Sequence, residues 1–467
     1  MLLRFYGAAR MVTGSKHLIE TESGLKVLLD CGMFQGGGPD YRELNSHFGF
    51  DPREIDHVIL SHAHIDHSGL LPLLVAEGFG GKIWATPASI DLCEIMLLDS
   101  AHIQESDLKY VNQRRRKRGE EEIKPLYDED DVNRTLLKMR SVPYHTRHEL
   151  NDELAFTFYD SGHIIGSAGV YLEINESNES STLFFTGDIG RPGDIILRSP
   201  EPFPQADFIL CESTYGDRLH DDASLSMDRL QKVVQETCVM KKGKVIIPAF
   251  SVDRTQELIY MLDQLARSGK LPHIEVFVDS PLSVKATEVM AAHESDFNPK
   301  ILDYIKKDGN AFEFPGLHYI TDVVDSKKLN SRKEPCIIIS ASGMAEAGRI
   351  KHHIANNIEN EKNCILIVGY ATPSSLGGAL RRGEETVTIF GREFEVKAQV
   401  EVMDAFSAHA DYKEIIAYLK CQDPIKVKKL FLVHGEYDTQ QIFKTKLQEI
   451  GFHSIDIPEL GDTYEHP

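Results

Sequence analysis

Short apolar runs bounded by polar residues or glycine recur through the first part of the chain and read as strands. His17 to Glu20 and Leu25 to Leu29 form one such pair around a turn at Glu22 to Gly24, and Asp30 closes the second. Val58, Ile59 and Leu60 predict another strand, and from Ser68 onward Leu70, Leu71, Leu73 and Leu74 read as the inner face of a helix. Apolar residues at Ile90, Cys93, Leu97, Leu98 and Ala101 have helical spacing, which predicts a long helix stopped by Gly119. Strands are then expected from Leu154 to Ser167, through Leu183 to Phe185 ahead of Asp188, and at Phe208 to Cys211 ahead of Glu212.

After residue 215 the rhythm changes. Residues 244–250, 274–279, 335–340 and 364–370 are β-branched apolar runs, each followed by an amphipathic stretch. Such alternation predicts a mainly parallel sheet with helices on its faces. From Phe394 the pattern becomes strand-like again and supplies His409 and His434 at two more strand ends. The expected division is therefore 1–215, 216–393 and 394–467, with the first and last segments forming one discontinuous domain and the middle one inserted in it.

The polar residues between the Val58 strand and its helix carry the chemistry. His62, His64, Asp66 and His67 fall within the hexapeptide HAHIDH. Imidazole and carboxylate suit zinc and its borderline neighbours, and four such groups exceed what one tetrahedral ion needs from so short a loop. The preferred reading divides them, His62 and His64 on one ion, Asp66 and His67 on a second.

Composition changes this picture little. Of 467 residues, 42% are hydrophobic and 26% charged, the balance of a soluble globular protein in two or three domains. No apolar run is long enough to cross a bilayer, and the N-terminus lacks the apolar stretch of a signal peptide, so the expected location is the cytoplasm. Cysteines 31, 93, 211, 238, 336, 364 and 421 are scattered and read as reduced, mostly buried thiols. The net charge of −21 argues against nonspecific coating of a polyanion. Arg114 to Arg118 form five adjacent positive charges, either an RNA-binding arm or a solvated helix end neutralised by Glu120 to Glu122.

The hexapeptide resembles the H-x-H-x-D-H motif of the metallo-β-lactamase superfamily. The segments IPAF with DRTQE, DSPLSV and SASGM look like those of its β-CASP nucleases, and the resemblance covers almost the whole chain. It implies an α/β protein: an αββα metallo-β-lactamase sandwich carrying an inserted α/β β-CASP domain. By the same resemblance His163 completes the first metal site, Asp188 bridges two metals, His434 joins the second, and Asp30 stands behind the ligands holding a histidine. Two Zn2+ ions are implied, with Mn2+ or Fe as substitutes. Glu212 and His409 match the family's motifs A and B, and with Asp66 they form the expected catalytic set. His434 matches motif C, which is histidine in the RNA-cleaving branch and usually valine in the DNA-repair branch.

The implied activity is a zinc-dependent ribonuclease that hydrolyses RNA phosphodiester bonds, internally or from the 5′ end. A DNA nuclease and a catalytically silent RNA-processing scaffold are the alternatives, although a silent member loses ligands and this chain keeps them. Single-stranded RNA is the implied partner, without a membrane, and a homodimer is compatible with the family. Ser340, Ser342, Arg349 and Ser407 are candidate phosphate contacts, with Arg254, Arg381 and Arg382 as further cations. Asp253 stands where many relatives carry glycine. The KH-type N-terminal module of archaeal relatives and the extra C-terminal domain of ribonuclease J are expected to be absent.

Overall fold

Alternation of side chains along the strands decides how the first unit is built. In Ser180–Phe185, Leu183 and Phe185 point into a core between two sheets, while Phe184 points away and stacks on Phe203 at 3.6 Å. Phe208 and Leu210 against Ile209 and Cys211 repeat the pattern, as do Phe431 and Val433 against Leu430 and Leu432. A strand apolar on both faces must be covered on both.

The computed structural model describes residues 1–36, 39–176, 179–220, 226–369, 371–372, 375–403 and 407–466. Two compact units result, one made of 1–194, 198–219 and 409–467, the other of 195–197 and 220–408. In the first unit one sheet runs, in spatial order, Thr463–Glu465, Leu2–Phe5, His17–Glu20, Lys26–Leu29, His57–Ile59, Lys82–Ala85, Met139–Ser141. The other runs Ile455–Asp456, Lys429–Val433, Phe208–Glu212, Ser180–Phe185, Ala168–Asn175, Leu154–Asp160, His148–Glu149. Leu3, Phe5, Val27, Leu29 and Ile59 of the first sheet meet Phe156, Phe158, Val170, Leu172 and Phe185 of the second.

Helices Tyr412–Leu419 and Tyr437–Glu449 cover the outer face of the second sheet with Ile415, Leu419, Phe443 and Leu447. The long helix Pro87–Lys117 lies beside Met139–Ser141, its first turn capped by Thr86. Lys26–Leu29, His57–Ile59 and Lys82–Ala85 are parallel, as are Ser180–Phe185, Phe208–Glu212 and Lys429–Val433. The loops leaving those strands at their carboxyl ends carry the polar residues singled out above, where open sheets place their sites.

Several local details differ from expectation. The helix expected from Ser68 is two: a short one, Ile65–Ser68, that begins inside the hexapeptide, and Leu71–Ala76, with Pro72, which has no N–H to donate, in its first turn. The strand expected through Ser167 ends at Asp160, and residues 161–167 form a loop. Gly166 in that loop has φ +80, and a Cβ there would lie 2.6 Å from the Ser89 nitrogen. Of the basic run, Arg115 pairs with Glu120 and Arg116 with Glu122, the local neutralisation foreseen for a solvated helix end.

His17 is enclosed between the rings of Phe5 and Phe185, and neither of its nitrogens has a hydrogen-bond partner. Burial, outweighing the nearby Asp30 carboxylate, pushes the imidazole down to about 3. The unfolded chain takes up a proton below about pH 6.5 while the folded one does not, so stability is lost as pH falls from there, by up to ~1.4 kcal/mol per unit. His17→Phe is expected to flatten this acid limb in a denaturant-midpoint series against pH. Parallel limbs in the two proteins would show that the imidazole is not held neutral.

The second unit holds a six-stranded sheet in the order Leu317–Tyr319, Glu275–Val278, Cys336–Ser340, Val245–Pro248, Cys364–Val368, Gln399–Met403, parallel throughout. All four expected strand-helix units are present, with helices Arg254–Arg267, Pro281–Ala292, Ile350–Asn357 and Leu376–Arg381. The boundary expected at 394 is corrected: Gln399–Met403 pairs with Cys364–Val368, so the chain leaves this unit only after Ala408. Tyr370, Pro373 and Ser374 of the fourth unit, and residues 404–406 of the expected re-entry, lie outside the described residues.

Asp253 occupies a strained turn. Its φ is +72 and ψ −70, and Arg254 N–H bonds the Val252 carbonyl at 3.0 Å, a three-residue turn that a side chain resists. Glycine adopts such a conformation freely. Here the aspartate stays within reach of Arg254 at 3.7 Å.

Candidate active site

One carboxylate organises the site. Asp188 follows the strand Ser180–Phe185 and is 2% exposed. Its Oδ2 lies 3.4 Å from His62 Nε2 and 3.4 Å from His163 Nε2. Its Oδ1 lies 3.3 Å from His67 Nε2 and 3.6 Å from His434 Nε2. Each oxygen thus faces a different pair of imidazoles.

The remaining donors complete two sets. His64 Nδ1 is 3.2 Å from His62 Nε2 and 3.1 Å from His163 Nε2. On the other side His67 Nε2 is 3.2 Å from His434 Nε2, which is 3.5 Å from Asp66 Oδ2. Two donors each about 2.1 Å from one tetrahedral ion stand about 3.4 Å apart, so these separations are those of ligands around a centre. Asp188 Oδ1, buried and without a hydrogen-bond partner, is the kind of orphaned acceptor that a cation satisfies. The residues fit metal binding, as His62, His64, His163 and Asp188 in one group, Asp66, His67 and His434 in another, and Asp188, His409 and His434 in a third that overlaps both.

Electrostatics agree with that use at His64 and His163. Burial, reinforced by His62, pushes His64 down to about 3, and burial with the charge of His409 carries His163 well below the ordinary range. These imidazoles are neutral, the form that ligates. Asp188 is held well below the usual carboxylate range, because the surrounding histidines outweigh the effect of burial.

Behind the ligands stands a row of oxygens. Asp30 Oδ2 is 2.7 Å from His67 Nδ1, and Asp30 Oδ1 accepts the Ser61 N–H at 2.8 Å. Ser15 Oγ and Ser61 Oγ both donate to Asp30 Oδ2 at 3.0 Å. Ser61 Oγ is also 3.1 Å from His62 Nδ1, and Thr214 Oγ1 is 3.0 Å from His434 Nδ1. Sequence reasoning found Asp30 and missed Ser15, Ser61 and Thr214. Adjacency to His62 was the only available signal for Ser61, and Thr214 had none.

Glu212 and His409 come together beside this cluster. His409 Nδ1 is 3.2 Å from Glu212 Oε1, which also accepts the Ile189 N–H at 2.6 Å. Burial works against the charged imidazole, but Glu212 and Asp188 outweigh it and hold His409 up to about 9. His409 is not at a strand end, as had been expected; it sits in the loop before the helix Tyr412–Leu419, which Asp411 caps.

The candidate phosphate contacts fall in the second unit and are largely engaged within it. Ser340 is buried and donates to the Asp279 carbonyl at 2.7 Å, a correction to its role as a hydroxyl offered to substrate. Arg349 is likewise committed, to Asp279 Oδ1 and to the Thr321 carbonyl at 2.6 Å each. Ser342 Oγ lies 3.4 Å from the Ala347 carbonyl, and Ser407 is buried. Arg254 is buried with Glu257, Arg381 reaches the Gly369 carbonyl, and Arg382 pairs with Glu384.

Comparison with known proteins covers both units. A model of the metallo-beta-lactamase superfamily matches residues 14–148, the Beta-Casp domain matches 255–380, and a Zn-dependent metallo-hydrolase RNA specificity domain matches 393–458. The chain is 34% identical to "Ribonuclease TTHA0252" of Thermus thermophilus over 92% of both chains. It is 30% identical to an "RNase J-like protein" of Methanocaldococcus jannaschii over 93% of both. Identity is 27% to "Transcription termination factor FttA" of Methanosarcina mazei, over 92% of this chain and 66% of that one. Three matches in chain order and identity sustained from end to end have one meaning: the chain belongs to the metallo-β-lactamase superfamily of hydrolases, in its Beta-Casp ribonuclease family.

Proposed function

We propose that this chain is a zinc-dependent ribonuclease that hydrolyses phosphodiester bonds of single-stranded RNA in the cytoplasm. The observation that carries the reading is Asp188, whose two oxygens face two separate sets of donors. In this reading His62, His64 and His163 with Asp188 would hold one ion, and Asp66, His67 and His434 with the same carboxylate would hold the other. Bound there, two zinc ions supply Lewis-acid polarisation of a phosphate and a nucleophilic water at neutral pH.

The chain's own residues do the rest. Asp30, Ser61 and Thr214 fix the ring orientations of His67, His62 and His434, so the donors are set before anything binds. His409, kept protonated by Glu212, donates a proton to the departing ribose oxygen. RNA is favoured as substrate by the two relatives named as ribonucleases, by the RNA specificity match, and by histidine at position 434.

Matched 5′-labelled and 3′-labelled RNA and DNA oligonucleotides, each with a 5′-phosphate or a 5′-hydroxyl, test the reading. RNA should be cut and DNA spared, and a chelator should abolish cutting. Faster cleavage of DNA would overturn it. The ladder of products separates internal from 5′-end cleavage in the same experiment.

Asp30→Ala is expected to weaken metal binding by about 10- to 100-fold without abolishing it, as losses behind the ligands do. Titration against a competing chelator measures this. Complete loss of metal would make Asp30 part of the ligand set itself.

A further inference from the structure

The hairpin of Thr386–Ile389 and Arg392–Glu395 lies between the matched segments 255–380 and 393–458, with only its last residues inside either. Val387, Ile389 and Phe394 anchor it in the core of the second unit. Its tip is Phe390, at φ +53, followed by Gly391. Rather than turning inward with its neighbours, Phe390 remains 54% exposed.

Phe390 does not stand alone. The ring of His352, on the helix Ile350–Asn357, lies 4.6 Å from it at 31°, and the Lys351 ammonium is 5.3 Å from its centroid. His352 is itself exposed, and burial followed by the positive charges of His353, Lys327 and Lys351 lowers its pKa. Lys327 belongs to the adjoining helix Val323–Ser331, where its neighbour Lys328 is paired with Asp325. Among the described residues Lys327, Lys351 and Arg392 form no ion pair.

The hairpin register sorts charge as well. Arg392 pairs with Ile389 and Val387 with Phe394, so Arg392 rises on the face that packs against the unit. Glu393 and Glu395, opposite Thr388 and Thr386, occupy the other face. Two exposed rings in tilted contact and three cations without ion pairs thus cluster about the hairpin tip, in a chain whose net charge is −21. A base finds a π-face there and its phosphates find counter-charge, the two parts of a single-strand platform.

We infer that Phe390 and His352, with Lys327, Lys351 and Arg392, form a stacking platform for a base of single-stranded RNA, built from residues other than those of the Asp188 cluster. It rests on the proposed RNA substrate and extends it by a second contact. The ammonium over the Phe390 ring is flexible and hydrated, and a stacking base moves it toward the adjoining phosphate.

Fluorescence anisotropy with a long single-stranded phosphorothioate RNA and the metal-loaded full chain tests this. Phe390→Ala should raise Kd about 5- to 100-fold, the usual loss for one stacked base. Phe390→Trp should bind tightly, because an indole is a larger stacking face. Lys351→Gln should lower the slope of log K against log salt by about one. Crosslinks from 5-iodouridine should map to Phe390 or His352. Circular dichroism should be unchanged in each variant, the side chains being at the surface.

Wild-type affinity in Phe390→Ala, with RNA still bound by the parent chain, overturns the platform alone. Failure of the parent chain to bind RNA overturns the RNA reading and the platform with it. A change in sedimentation of Phe390→Ala with unaltered RNA affinity makes the patch a contact between two copies and overturns the proposal.

Discussion

Asp188→Ala is expected to purify without its metals and without measurable hydrolysis. Asp188 Oδ2 sits 3.4 Å from two imidazole nitrogens, and Oδ1 sits 3.3 and 3.6 Å from two others, so one truncation removes a donor from both sets. What remains is a cluster of imidazoles with less negative charge to balance a divalent ion, and affinity falls on both sides at once. Asp188→Asn separates bridging from simple proximity: it keeps the volume and one acceptor oxygen, so it can serve one ion and should retain at most one per chain. Elemental analysis of dialysed protein reads this without any substrate. Two ions per chain in Asp188→Ala would show that the carboxylate does not bridge.

Legibility of this site in the sequence depended on distance along the chain. His62, His64, Asp66 and His67 lie within one hexapeptide, and their density alone argued for two ions. His163, Asp188 and His434 each stand alone among ordinary strand-end residues, and only resemblance to a family singled them out. The structure supplies the physical reason for the gathering: parallel strands of two facing sheets end at one edge, and the loops leaving them converge. Ser15, Ser61 and Thr214 were not legible, because a hydroxyl beside a histidine satisfies equally well a backbone carbonyl, a cap or water.

The fold was legible where periodicity was clear. Four apolar runs, each followed by an amphipathic stretch, became four strands of one parallel sheet. The error at 394 has the same source, since Gln399–Met403 has nothing in its pattern to say which sheet it joins. Pairing partners are chosen by tertiary packing, and a strand's own residues specify its faces far better than its neighbours. Ser340 and Arg349 were hard to read for a related reason. A polar residue after a buried strand is offered to a ligand or spent on the fold, and here Asp279 takes both.

His409→Ala is expected to keep its fold and both metals yet lose turnover by about 10²- to 10⁴-fold, the usual range for a general acid. The departing ribose oxygen is a poor leaving group unless it gains a proton as the bond to phosphorus breaks. In the proposed mechanism His409 supplies that proton: it is held up to about 9, the charged form at neutral pH, and it is 20% exposed while its partner Glu212 is fully buried. Glu212 Oε1 is in turn fixed by the Ile189 N–H, so the imidazole is aimed as well as charged. His409 also lies 3.9 Å from Asp188 Oδ2, and loss of metal in the variant would explain a slow enzyme without any acid catalysis. Elemental analysis removes that ambiguity. RNA with sulfur in place of the departing oxygen resolves the role itself, because a thiolate leaves without protonation and should restore most of the rate to His409→Ala. An equal deficit on the oxygen and sulfur substrates, at full metal content, would mean that His409 does not donate the proton.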